Sequence, residues 1–132
     1  MTVDATRPFD DATDAKFVQL TTFRKDGTPV ASPLWAAIDD GKLYMWTVAD
    51  SWKVKRIRRD QRVIVQACDR SGKTVHGKPV DATAAILDAE GTEKTRALIR
   101  AKYGVIGWIG VTMSSLRRGK GGTVGVVISP LG

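Results

Sequence analysis

The sequence predicts a mostly β fold with α elements (α+β): six antiparallel strands rolled into a small closed or split β-barrel with short flanking helices. Three observations point there. Runs of β-branched and aromatic residues recur along most of the 132-residue chain. Asp-Gly turn signals separate the first of these runs. Two helical stretches interrupt the strands, one after the third and one before the last. Rolling such a sheet up removes the open edges that six antiparallel strands would otherwise expose.

The elements follow in chain order. Phe17, Leu20, Thr21 and Phe23 mark the first strand, which stops at Arg24-Lys25-Asp26-Gly27. The second runs from Pro29 to Ile38, with Val30, Ser32, Leu34, Ala36 and Ile38 alternating against Ala31, Pro33, Trp35 and Ala37. Neither set is strongly polar, as expected of a strand covered on both sides. Asp39-Asp40-Gly41 turns the chain into the third strand, Leu43 to Val48. Asp50 or Ser51 then caps a short helix whose inward face carries Val54 and Ile57, and Asp60 ends it. Arg62 to Cys68 is the fourth strand, and Asp69 to Gly72 a turn. Lys73 to Leu87 is the fifth strand, long and bent at Gly77 and Pro79. Glu90 to Tyr103 and Gly104 to Arg118 form a helical pair, and Thr123 to Ser129 the last strand, ended by Pro130. Residues 1–14 are expected to be a flexible or helical lead-in to a single domain spanning 1–132.

Composition narrows the function classes. Apolar residues make up 42% and charged residues 27%, the balance of a folded, water-soluble domain. No apolar run approaches the ~20 residues that span a bilayer, and the acidic N-terminus lacks the plan of a secretion signal. A cytoplasmic protein without a membrane partner is expected. The single cysteine, Cys68, excludes an internal disulfide and reads as a small buried hydrophobe. His76 is the lone histidine, so neither a metal site nor a Ser-His-Asp or Cys-His arrangement is expected. Arg118-Gly-Lys120-Gly-Gly-Thr123 resembles a phosphate loop only superficially, because it lacks the Gly-Lys-Ser/Thr run and a following helix. Side-chain chemistry alone is thinly provided for. An enzyme built from this chain would borrow its reactivity from an anionic cofactor.

The net charge of +7 is concentrated: residues 51–73 hold eight basic and two acidic groups. A focused cluster of this kind raises the local concentration of an anion, whether nucleotide, polyanion or nucleic acid. The strand end at Thr47 feeds a helix N-terminus, whose free N–H groups favour an anion, with Ser51 and Lys53 in its first turn. Cations so placed oppose the helix dipole, which suggests a bound anion; a solvated basic face is the alternative. No helix-turn-helix, zinc-finger or aromatic-basic sheet signature accompanies the charge, so nucleic acid is not the expected partner.

Several stretches together resemble the pyridoxamine-phosphate-oxidase-like split barrels, whose architecture is that of an FMN-binding protein. They are Gly27-Thr-Pro-Val-Ala-Ser-Pro33-Leu-Trp35, Gly41-Lys-Leu-Tyr-Met-Trp-Thr47, Ser51-Trp-Lys53-Val-Lys55-Arg56-Ile-Arg58-Arg59-Asp60, and Lys102-Tyr103-Gly104. The likeness is greatest to the actinobacterial branch that uses the deazaflavin coenzyme F420, with FMN as the alternative cofactor. The resemblance implies a homodimeric reductase acting on a small-molecule substrate, or else a non-catalytic binder of a flavin, deazaflavin or tetrapyrrole. It implies that Thr47, Ser51, Lys53 and Lys55 or Arg56 hold the coenzyme phosphate, with Trp52 among them. Ser32, Pro33, Leu34 and Trp35 would run along the ring, and Lys78 would assist at the phosphate or ribityl chain. From charge alone, Arg117, Arg118 and Lys120 are candidates for an oligoglutamate tail.

Overall fold

The computed structural model describes Phe9, residues 15–118 and residues 122–131. The lead-in expected over 1–14 lies, apart from Phe9, outside the described residues, as do Lys120 and the side chains of Arg117 and Arg118.

Among the described residues the elements follow in the order β1 (Phe17–Phe23), β2 (Pro29–Leu34), β3 (Ala36–Asp39), β4 (Lys42–Val48), α1 (Trp52–Arg59), β5 (Arg62–Cys68), β6 (Val75–Ile86), α2 (Ala89–Arg118) and β7 (Thr123–Pro130). The strands form one antiparallel sheet in the order β2-β1-β5-β6-β7-β4-β3. The expected six-stranded barrel is therefore corrected on two counts: there are seven strands, and the ladder is not closed. The cause is Trp35. Leu34 pairs with Val18 of β1, whereas Ala36 pairs with Met45 of β4. The run expected as one strand thus divides at Trp35 and serves both ends of the sheet. Those ends are not hydrogen-bonded to each other, but a single residue joins them covalently, so the sheet has to curl until its first and last strands are neighbours.

The turns form where the sequence allows positive φ. Gly27 (φ 88°) closes the β1–β2 turn, and Asp40 (φ 50°) with Gly41 (φ 76°) closes β3–β4. α1 starts at Ser51, whose hydroxyl accepts from the Val54 amide, and stops at Asp60, whose N–H donates to the Arg56 carbonyl at 2.8 Å. The short flanking helix expected there is present. The second is long, 30 residues, and broken at Gly104, whose φ of 61° and ψ of −137° suit glycine alone. The expected helical pair is thus present: two helices meet at a kink at Gly104, the residue where they were expected to divide.

Each central strand contributes residues two apart to one buried layer: Val18 and Leu20, Leu43 and Met45, Val63 and Val65, Ala82 and Ala84, Val126 and Ile128. That is the period-two signature of a sheet face turned inward, and Ile57 of α1 and Phe9 close over the same layer. On the opposite side, α2 packs against β3, β4 and β7. There Ile99 and Ala37 are buried beneath Trp35, Trp46, Leu98 and Tyr103. No described helix is long and apolar enough to cross a membrane.

Candidate functional site

Two clefts receive the chemistry-bearing residues, at opposite ends of the β1–β2 hairpin. The first, about 710 Å³, opens at the turn end and is lined by Arg24, Lys25, Trp52, Lys55, Arg56 and Arg59. The second, about 1080 Å³, opens where β1 begins and β2 ends; its walls include Phe17, Trp35, Leu98 and Tyr103, with Lys16 and Arg70 among them. The six residue steps of β1 between Phe17 and Phe23 place the clefts ~20 Å apart at ~3.3 Å per step.

The basic cleft is assembled by α1 docking on β1. Arg59 donates to the Phe23 carbonyl, and the Arg62 guanidinium lies 4.1 Å from the Phe23 ring centre. This draws the last turn of α1 toward Arg24 and Lys25. Trp52 is 69% exposed and carries the Lys55 ammonium 4.5 Å above its ring. Among the described residues the lining holds five cations and no carboxylate. Beside it, Lys53 is half-buried, and its pKa is pushed down from the ordinary lysine value, first by burial and then by the Arg56 charge. The expectation that cations oppose the helix dipole narrows to the first turn. Arg56, Arg58 and Arg59 occupy the last turn, where the dipole favours them, and the first turn holds no acidic residue.

The other expected site residues are spread more widely. Ser32 stands in the middle of β2, an edge strand paired only with β1. Its hydroxyl is enclosed with no hydrogen-bond partner among the described residues, an arrangement that costs ~1–3 kcal/mol unless a bound group or water supplies the partner. Pro33 is covered by the β5–β6 turn: a Cβ on Gly72 would stand 3.2 Å from its Cδ. Leu34 packs against the main core. Thr47 is 7% exposed and sits in the β4–β7 ladder opposite Val124. Ser51 caps α1. Lys78 is exposed on β6 and lines neither cleft. Of the expected phosphate group, then, Trp52, Lys55 and Arg56 share one cleft, with Lys53 and Ser51 on the same short helix. Trp35 belongs to the other cleft.

Sequence reading missed Arg24, Lys25 and Arg59 at the basic cleft and Lys16, Arg70 and Tyr103 at the apolar one. The signals available were the Arg24-Lys25 pair just before Asp26-Gly27 and the places of Arg59 and Tyr103 within the family-like stretches. At the apolar cleft, Trp35 and Tyr103 stack with ring centres 4.8 Å apart and planes 15° from parallel. The Tyr103 hydroxyl donates to the Lys16 carbonyl at 2.6 Å and accepts from the Ala36 amide at 3.1 Å. Lys102 donates to the Ala15 and Ala36 carbonyls at 2.8 and 2.6 Å. Together these bonds tie the last helical turn before Gly104 to the start of β1 and to the strand break. Burial raises the Tyr103 pKa, partly offset by the hydrogen bond at Ala36. No cluster of potential metal ligands occurs among the described residues.

An edge strand running from a cationic cleft to an aromatic one fits an elongated anion with a ring at one end. A phosphorylated cofactor has that form, so the residues present fit one.

Comparisons with other proteins agree with the fold. No curated protein matches the chain. Among solved structures, a conserved hypothetical protein from Mycobacterium tuberculosis is similar over 98% of this chain and 82% of its own, with a TM-score of 0.74 and 23% identity. A structure described as an F420 reductase is similar over 98% and 97%, with a TM-score of 0.64 and 17% identity. A FAD-binding protein from Mesorhizobium loti is similar over 100% and 91%, with a TM-score of 0.60 and 22% identity. At these identities the likeness speaks for the fold alone. The sequence pattern of the family described as pyridoxamine 5'-phosphate oxidase, however, matches residues 6–130. With nearly its whole length covered, the chain belongs to the pyridoxamine 5'-phosphate oxidase family.

Proposed function

We propose that the chain is an oxidoreductase that binds the deazaflavin coenzyme F420 and acts on a small-molecule substrate. The observation that carries this reading is the basic cleft: five cations around an exposed tryptophan, with no carboxylate in the lining among the described residues. When bound, such a coenzyme supplies hydride transfer to an electron-poor C=C or C=N bond. The protein's own residues would do the rest. Lys55 and Arg56, with Arg24, Lys25 and Arg59, neutralise the phosphate, and Trp52 gives it an apolar wall. Lys53, half-buried and disfavoured as an ammonium by burial and the Arg56 charge, would gain a counter-charge on binding. Ser51 keeps the first turn of α1 in place through its cap. The open edge of β2 offers backbone donors and acceptors along the ligand, with Trp35 at its far end. Fixing a reactive ring beside a substrate in this way removes much of the entropic part of the barrier. The reading includes a homodimer, as the family resemblance implies.

FMN in the same place is the second reading, favoured by the FAD-binding relative. Calorimetric titration separates the two: micromolar F420 binding with FMN at least about ten-fold weaker supports the first reading, and the reverse order the second. Turnover of reduced F420 on a panel of enones, imines and quinones then tests catalysis. Tight binding with no turnover would leave a cofactor carrier. Binding of neither would remove the proposal.

A further inference from the structure

The free side of β2 is unevenly furnished with backbone hydrogen-bonding groups. Across the β1–β2 turn, the Arg24 amide donates to the Thr28 carbonyl at 2.9 Å. Backbone groups two residues apart on a strand point the same way. Thr22, Leu20 and Val18 therefore bond to their register partners Val30, Ser32 and Leu34. Thr21, Gln19 and Phe17 turn the other way, toward Ile64, Gln66 and Cys68 of β5. That leaves Pro29, Ala31 and Pro33 with their backbone groups on the side of β2 that has no neighbouring strand. Three carbonyls face outward there, but of these residues only Ala31 has an N–H to offer. Pro29 and Ala31 are exposed.

The other described prolines follow the same rule. Pro79 precedes Val80, which pairs with Val65 of β5, so Pro79 turns to the β7 side, where pairing begins only at Ala82. The bond from the Ala49 amide to the Gly122 carbonyl shows that even-numbered residues of β7 face β4. Pro130 lies two residues past Ile128, where that pairing ends. The opposite rim, β3, carries no proline. There the outward N–H and carbonyl of Ala36 are taken by the Tyr103 hydroxyl and the Lys102 ammonium.

We propose that β2 is a latent strand-pairing interface between copies of this chain, and that Pro29 and Pro33 keep it closed by withholding the N–H groups a second β2 needs. Two such strands set edge to edge would bury carbonyls that meet no donor, which is unfavourable. Arg24 and Lys25 at the turn end add like-charge repulsion, but salt screens charge and does not supply a missing N–H. The inference concerns the free protein and is independent of the cofactor reading.

The test is sedimentation velocity on the full chain without cofactor at about 0.05 and 0.5 M salt, with the amide I infrared band recorded alongside. The native chain and Ala31→Thr, which adds β propensity but no N–H, are expected to show no species beyond the native one at either salt. Pro29→Thr/Pro33→Thr is expected to form larger species, its mean sedimentation coefficient rising by about half or more between ~10 and ~300 µM. The amide I band should gain an intermolecular β component in parallel. Pro29→Thr alone should show part of both changes. Pro29 is exposed, so this single variant carries the test if circular dichroism shows that the double variant does not fold. Folded variants that stay at native size would overturn the proposal. So would assembly of Ala31→Thr to the same extent, or assembly of the native chain on raising salt. Larger species without the amide I change would place the association on another surface, and would overturn it as well.

Discussion

Lys53 illustrates how a residue can be held at a disadvantage for a purpose. Burial and the Arg56 charge both disfavour its ammonium form in the free protein. An anion in the neighbouring cleft reverses that preference, so binding takes up a proton once the pH exceeds the lowered Lys53 pKa. Affinity for a phosphate ligand is therefore expected to fall as pH rises through that value, below the ordinary 10.5. Lys53→Ala should weaken binding by ~1–3 kcal/mol and remove the pH dependence, read by titration in buffers of different ionisation enthalpy. An unchanged affinity would take Lys53 out of the site. Tyr103 shows the opposite sign. Its raised pKa means that the unfolded chain loses the phenolic proton first, so its contribution to stability is complete below pH ~10 and is lost as pH rises further. Tyr103→Phe strands the Ala36 amide and is expected to cost ~1–3 kcal/mol near neutral pH. In urea titrations at increasing alkalinity, the difference from the native chain should shrink.

At the scale of elements, the seat of α2 on β7 depends on Gly125. The Gly125 amide donates to the Thr92 hydroxyl at 3.0 Å, and its carbonyl accepts from the Leu87 amide at 2.9 Å. A Cβ there would meet the Thr95 hydroxyl at 2.4 Å and the Thr95 Cβ at 3.0 Å. Gly125→Ala is expected to destabilise by ~1–3 kcal/mol, and adding Thr95→Ala should recover part of that in the same denaturation assay. Nothing near Gly125 in the sequence announces this contact, which joins residues thirty positions apart. Local features were more legible. The Asp-Gly turns and the break at Gly104 depend on positive φ, which few residue types adopt, and the start of α1 depends on a side-chain oxygen at Ser51 that accepts from the Val54 amide. The division at Trp35 was hidden for a physical reason. The alternation from Val30 through Ser32, Leu34, Ala36 and Ile38 continues across it, because a strand can change partners without changing its own pattern. Periodicity reports which face is buried, not which neighbour supplies the hydrogen bonds.

For the molecule as a whole, the net charge of +7 matters less than its arrangement. Arg24 and Lys25 on the β1–β2 turn meet Lys55, Arg56 and Arg59 of α1 only after folding, so the cluster in the sequence understated the cleft. The same holds at the apolar cleft, where Trp35 and Tyr103 come from distant segments. An exposed cationic surface attracts anions over a range set by ionic strength. Affinity for FMN or F420 is therefore expected to drop several-fold between about 0.05 and 0.5 M salt. An Arg24→Gln, Lys25→Gln double variant should flatten that slope, as followed by fluorescence titration.

Because β2 and β3 are the outermost strands yet follow one another with only Trp35 between them, neither rim of the sheet can peel away without pulling on the other. Cutting the chain at that one peptide link would untether both rims together, and a protease sensitive to tryptophan there would convert a cooperative unit into one that unravels from two places.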